Sequence, residues 1–301
     1  MKQSAWTNIG ENVKGNNVEE VLKSAGLNYN VVKEPIYTES RVRVPGKFVT
    51  KIDGSSRPED IFGVVGNDYT IVQNSEAFDF VNELVPEGLQ FEKAGQTHWG
   101  MVYMIASLPE YKLFGDDMKT YMIFQNTHNG ISKIMAALCP LRIVCQNQFA
   151  VAFKRAENKV VIKHTRSASS KLDEAREVMR AALGYTEEFK MLAEELAAIK
   201  VPKIKEEKVL ELMFPINETK DSERKVQSIM ERRSSVSSLF HNDNDLQNFK
   251  GTAWGMLNAY SDYITHAEPQ RKTENWEQSR FWNTTMNTSN MDKLIDIIKT
   301  A

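Results

Sequence analysis

Apolar residues recur at every second position from Tyr29 onward, the spacing of strands with one face turned to a core. NYNVVKEPIYT (28–38), RVRVPGKFVTKID (41–53) and IFGVVGNDYTIV (61–72) are β-branched runs, separated by turn signals at Asp53-Gly54 and Gly66-Asn67-Asp68. They predict an antiparallel meander. Before it, Asn17 to Gly26 reads as a short helix, capped by Asn17, stopped by Gly26 and packed as a lid on the sheet. After it, Ala77, Phe80, Val81 and Leu84 in EAFDFVNEL (76–84) have the spacing of an amphipathic helix.

A second meander is expected in LQFEKAGQT (89–97), WGMVYMIASLP (99–109), MKTYMIFQNTHN (118–129), ISKIMAALCPLRIVCQNQFAVAFK (131–154) and KVVIKHT (159–165). Gly95-Gln96, Gly115-Asp116-Asp117 and Asn129-Gly130 are its turn signals. The unbroken run MVYMIASL implies central strands covered on both faces. Residues 131–147 read both ways, because MAAL favours helix while Pro140 interrupts one.

Beyond Thr165 the pattern turns helical. SASSKLDEAREVMRAALGYTEEFKMLAEELAAIKV (167–201) predicts one long helix, or two broken at Gly184, with Ser167 or Ser169 as N-cap and Pro202 past the end. Lys205–Met213, Asp221–Phe240 with its Ser-rich finish, Asn248–His266 and Met291–Ile298 follow as helices. The expected class is therefore α+β. Residues 1–166 would form a mainly antiparallel β domain of one or two meander sheets with short helices, and residues 167–301 a mainly α-helical region packed on it.

Composition narrows the chemistry. With 41% hydrophobic and 26% charged residues over 301 positions, the chain reads as globular. It has no apolar run of membrane-spanning length, and MKQSAWTNIGENVKG lacks a signal-peptide core, so the expected location is the cytoplasm, with no membrane partner. Cys139 and Cys145 are expected to be reduced, buried thiols. No close ligand pair supports a metal at His128, His164 and Cys145, and the apolar run around Cys145 argues against a thiolate nucleophile. HNDNDLQN (241–248) lacks the ligand order of a calcium loop. No GxxxxGK[ST] loop is present, which disfavours an ATP-driven recombinase of the P-loop type, and with no catalytic motif in the sequence neither an enzymatic activity nor a cofactor is expected.

Charge is segregated although the net formal charge is only -2. Arg41, Arg43, Lys47, Lys51 and Arg57 face a single Asp53 in one stretch, and Arg142, Lys154, Arg155, Lys159, Lys163 and Arg166 a single Glu157 in another. Phe48, Phe149 and Phe153 lie among these cations. Cations along a groove with rings for bases to stack on are the makings of a single-stranded DNA surface. The candidate residues are Arg41, Arg43, Lys47, Phe48, Lys51, Phe153, Lys154, Arg155, Lys159, Lys163 and Arg166, provided the two stretches meet in space. His128 and His164 are expected to converge across neighbouring strands.

YTIVQNSEAFDFVNEL (69–84), THNGISK and LRIVCQNQ (within 127–148), IKHTRS (162–167) and GTAWGMLNAYSDYITH (251–266) together resemble the phage and plasmid proteins grouped as domain of unknown function 932. The positions that carry the resemblance are Asn126, His128, Gly130, Arg142, Cys145, Asn147, His164, Gly251, Trp254 and Asn258. It implies a mobile-element origin and a role in DNA metabolism or in the contest with a host, and it supplies no catalytic residues. The strand and helix order also resembles, more loosely, the Rad52-like phage annealing proteins, which assemble into rings or filaments and pair strands without ATP. The expected function is thus a homo-oligomeric protein that binds single-stranded DNA and promotes annealing or recombination. The alternative is a non-enzymatic protein that grips a host or phage protein through Trp254, Tyr260, Tyr263, Trp276, Phe281 and Trp282.

Overall fold

Two sheets make up the β half. The computed structural model describes residues 9–97, 100–142, 147–148, 159–168, 171–172, 184–268, 272–273, 276–286 and 289–301. The small sheet has three strands in the order β2 (Val31–Tyr37), β3 (Arg43–Ile52), β4 (Ile61–Gly66). The large sheet runs β1 (Glu11–Asn12), β5 (Gln90–Gln96), β6 (Met101–Ser107), β8 (Asp116–Thr127), β9 (Ile134–Arg142). β7 (Tyr111–Leu113) pairs with β8, and β10 (Asn147–Gln148) and β11 (Lys159–Ile162) both pair with β9. The fold is α+β: antiparallel sheets first, helices after.

The large sheet has two apolar faces, as its unbroken runs require. Ala94, Val102, Met104, Met122, Phe124, Ala136 and Leu138 meet α1 (Val18–Ser24), α2 (Asn74–Phe78) and the 3-10 segment Asp79–Glu87 in one core. Tyr103, Ile105, Ile123, Ala137 and Cys139 form the opposite core with Phe281 and Trp282. These two rings come from α7 (Trp276–Met286), a helix that the sequence pattern did not announce. The third core joins Leu113 and Met118 of the sheet to α3 (Tyr185–Ala198), α4 (Lys203–Met213), α5 (Glu223–Asn242), α6 (Ala253–His266) and α8 (Ser289–Thr300). None of the described helices is long and apolar enough to cross a membrane.

Several boundaries differ from expectation. Residues 134–142 are strand throughout, because cross-strand burial outweighs the helix preference of MAAL. Among the described residues, β11 pairs with 134–137 and β10 with 141–142, so Pro140, which has no N–H, falls between the two ladders. Gly95-Gln96 lies inside β5, and the turn comes at Gly100, which has φ +79. The 76–84 helix begins at Asn74 and tightens to 3-10 from Asp79, with Ala77, Phe80, Val81 and Leu84 buried as the spacing required. Residues 69–72 leave the strand pattern altogether, while α5 contains the Ser-rich run 234–238 as expected and runs on to Asn242. α1 matches its signals: the Asn17 side chain accepts from the Glu20 N–H, and Gly26 has φ +67.

The small sheet docks on the β8–β9 hairpin through close backbone contact. The Thr50 hydroxyl donates to the carbonyl oxygen of His128 at 2.5 Å, and a Cβ on Gly63 would lie 2.6 Å from that of Asn129. Gly63→Ala should therefore push the sheet outward and lower stability by about 1–3 kcal/mol. Denaturant unfolding would check this, and a variant as stable as the parent would contradict the docking geometry. At the other end of β9, Arg142 joins sheet and helices. Its Nε donates to Asp116 Oδ2 at 2.9 Å and its Nη2 to the carbonyl oxygen of Asp245 at 2.7 Å.

Candidate functional site

Between the two sheets lies a buried polar cluster. His128 and Asn126, at the end of β8, are fully buried, and Asn74, at the start of α2, is 1% exposed. Asn74 Oδ1 accepts from Asn126 Nδ2 at 3.0 Å and lies 3.0 Å from His128 Nε2, while Asn74 Nδ2 donates to the carbonyl oxygen of Leu27 at 3.0 Å. Since Asn74 Oδ1 can only accept, His128 carries its proton on Nε2. The His164 ring lies 6.5 Å from that of His128, so the two histidines converge as expected. Arg142 takes no part, since it pairs at the far end of β9.

Burial sets the protonation of this cluster. It pushes His128 down to about 3, with the nearby His164 adding to the effect, and pushes His164 down to about 4. Both imidazoles are neutral at physiological pH. Tyr69 closes the cluster from above, its ring 5.0 Å from His164 and its hydroxyl donating to the carbonyl oxygen of Thr127 at 3.1 Å.

Tyr69 belongs to the loop that carries the charged surface. Thr70 N–H donates to the carbonyl oxygen of His164 at 3.2 Å, and Arg166 Nη2 lies 3.6 Å from Asp68 Oδ1. The loop therefore joins the end of β4 to the segment that follows β11. Lys47 is opposite Gly66 in the register, so the basic end of β3 borders the same loop. The 66–70 loop thus lies between the two basic stretches, bordered by the backbone of β3 at Lys47 on one side and by His164 and Arg166 on the other.

The candidate residues divide in a way that period-two counting alone did not specify. Lys33 Nζ lies 5.3 Å and the Arg43 guanidinium 5.7 Å from the Phe48 ring centre, which places these three side chains on one face. Lys33 Nζ also donates to the carbonyl oxygen of Tyr69 at 2.8 Å. Lys47 and Lys51 alternate with Phe48 and project from the opposite face. Lys51 is paired to Glu34 at 3.3 Å, and Arg57 to Asp60 at 2.9 Å, so charge at that end is locally balanced. Arg41 stands exposed at the tip of the β2–β3 hairpin with φ 60. Lys159 is in β11, opposite Ala137. Phe149, Phe153, Lys154 and Arg155 lie outside the described residues, as does Cys145.

The aromatic residues of the helical half occupy other roles. Trp254, Tyr260, Phe281 and Trp282 are buried and dock helices, which leaves Tyr263 and Trp276 partly exposed among the six. Lys33, Tyr69 and Asn74 had not been singled out. Their contacts lie 15 to 95 positions away in sequence, so no local spacing pointed to them.

Residues 61–285 match the family described as Domain of unknown function (DUF932). The chain belongs to that family. No curated protein and no solved structure matches it. The family's span holds the whole buried cluster, Tyr69, Asn74, Asn126, His128 and His164, together with Lys163 and Arg166. Strands β2 and β3, with Lys33, Arg43, Lys47 and Phe48, lie before it.

Proposed function

We propose that the protein binds single-stranded DNA along the small sheet and its loop, and that as a homo-oligomer it promotes annealing without ATP. The strand would pass Arg41 and Arg43 and reach Lys163 and Arg166, with the half-buried Phe48, on the same face as Arg43, as a ring for a base. That the two basic stretches border the 66–70 loop from either side is the observation that supports this reading. The buried cluster then has a mechanical role: through Tyr69 and the Thr70–His164 hydrogen bond it holds the loop so that charges distant in sequence face one ligand.

A fluorescently labelled oligonucleotide titrated at several salt concentrations tests it. About four phosphate contacts give a log-log slope near -3 for a single strand. Replacing Arg41, Arg43 and Arg166 with Gln should flatten that slope and weaken binding at least about tenfold at low salt. Absence of binding at low salt would refute the reading. If binding holds, mixing complementary strands with the protein and measuring duplex formation tests the annealing step separately.

A further inference from the structure

A groove of about 1110 Å³ opens in the helical half, walled by α5, the end of α6 and α7, away from the small sheet. Arg280 lies in it with its guanidinium 4.3 Å from the Trp276 ring centre. Its Nη1 donates to the carbonyl oxygen of Ala267 at 3.1 Å, and its Nε is buried with no acceptor among the described residues. Arg232, on α5, lines the same groove and is exposed. No carboxylate among the described residues lies within ion-pair distance of either arginine; of the two carboxylates that line the groove, Glu231 and Glu268, the second is paired to Lys272 at 2.8 Å. Capping Ala267 uses one of the five N–H donors of Arg280, so that role does not account for the rest.

Two guanidinium groups that line one groove, neither ion-paired among the described residues, are the forked donors that phosphate oxygens take. Tyr263 and Trp276 put rings beside them, and Ser279, Asn283 and Thr284 add hydroxyl and amide groups. The space exceeds what an inorganic anion fills and lies at the upper end of small-molecule sites. We propose that this groove binds a nucleotide through its phosphate, with Arg232 and Arg280 as the phosphate ligands and Tyr263 beside the base. The nucleotide is either free or a unit of a nucleic-acid strand. The site is separate from the small sheet and does not rest on the reading given for it.

The full chain would be titrated against a fluorescent adenosine nucleotide, and separately against a labelled oligothymidylate. Saturable nucleotide binding that Arg232→Gln and Arg280→Gln each weaken by about tenfold or more is expected, given what a hydrogen bond to a charged group contributes. Arg43→Gln should leave nucleotide binding unchanged, which separates failure here from failure at the small sheet. Binding of free nucleotide identifies a free ligand. Binding of the oligonucleotide alone, still weakened by Arg232→Gln, identifies a strand. Because Arg280 also caps Ala267, its variant is accompanied by a thermal melt, while Arg232 is exposed and its replacement leaves the fold intact. Neither probe binding, or both binding equally well to Arg232→Gln and a folded Arg280→Gln, would overturn the proposal.

Discussion

Lowering the pH from about 7 to about 5 should cost this protein about 2–4 kcal/mol of stability through two histidines alone. Burial holds His128 down to about 3 and His164 to about 4 in the folded state. In the unfolded chain both titrate near the ordinary value of about 6.5. Below that pH the unfolded chain binds up to two protons that the folded protein refuses, so the equilibrium moves toward unfolding. The contribution is fully favourable above the unfolded value and is lost as pH falls toward the folded values, at up to about 1.4 kcal/mol per pH unit for each ring. Urea unfolding at the two pH values measures the loss. The double variant His128→Gln, His164→Gln controls for the carboxylates and should retain much less of the slope. If the parent and this variant share one slope, the histidines are not the titrating groups.

The second large effect is expected at Asn74. Its side chain satisfies Asn126, His128 and Leu27 at once, each at 3.0 Å. Asn74→Ala removes all three hydrogen bonds, leaving a ring N–H and a carbonyl oxygen buried without partners and Asn126 with Val72 alone. Unsatisfied buried groups cost about 1–3 kcal/mol each, so a total loss of about 3–5 kcal/mol is expected. Hydrogen exchange should show where the loss acts. Protection should fall first in the 66–70 loop and at Thr50, because both hang on the histidine cluster. Uniform loss across both sheets would mean that Asn74 serves the general core and not the loop.

The contrast between what could and could not be read from the sequence follows the range of the interactions. Strands such as Val31–Tyr37 and Met101–Ser107 declare themselves within seven residues, since alternation or full apolarity is a local pattern. The Asn17 cap and the Gly26 stop are local in the same sense. Helix Trp276–Met286 was missed because its buried rings, Phe281 and Trp282, are adjacent in sequence and make no extended helical stripe. The surface fared better than the cluster beneath it. Basic stretches can be counted, and their meeting could be stated as a condition, but Asn74 is 54 residues from His128 and sits in a helix start that looks like ordinary polar capping. Alternation by itself puts Arg43, Lys47 and Lys51 on one face of β3, and the irregularity at its hairpin end, where the register shifts and Gly46 has φ +65, carries Arg43 to the face of Phe48. Neither that division nor which face meets Tyr69 and the loop can be counted from the sequence.

The two apolar faces of the large sheet have one more consequence. In a sheet with one wet face, sliding a strand by one residue exposes its hydrophobic side chains, and that penalty fixes the pairing. Here Met122 and Ile123, or Ala136 and Ala137, could exchange faces and remain covered, so oil and water alone do not distinguish the native alignment of β8 with β9 from its neighbour. The distinction falls to the strand ends. A slip would carry Asn126 and His128 away from Asn74 at one end and part Arg142 from Asp116 at the other. The polar groups buried in this β half thus act as a molecular vernier, by which a hairpin with no preferred side finds its one alignment.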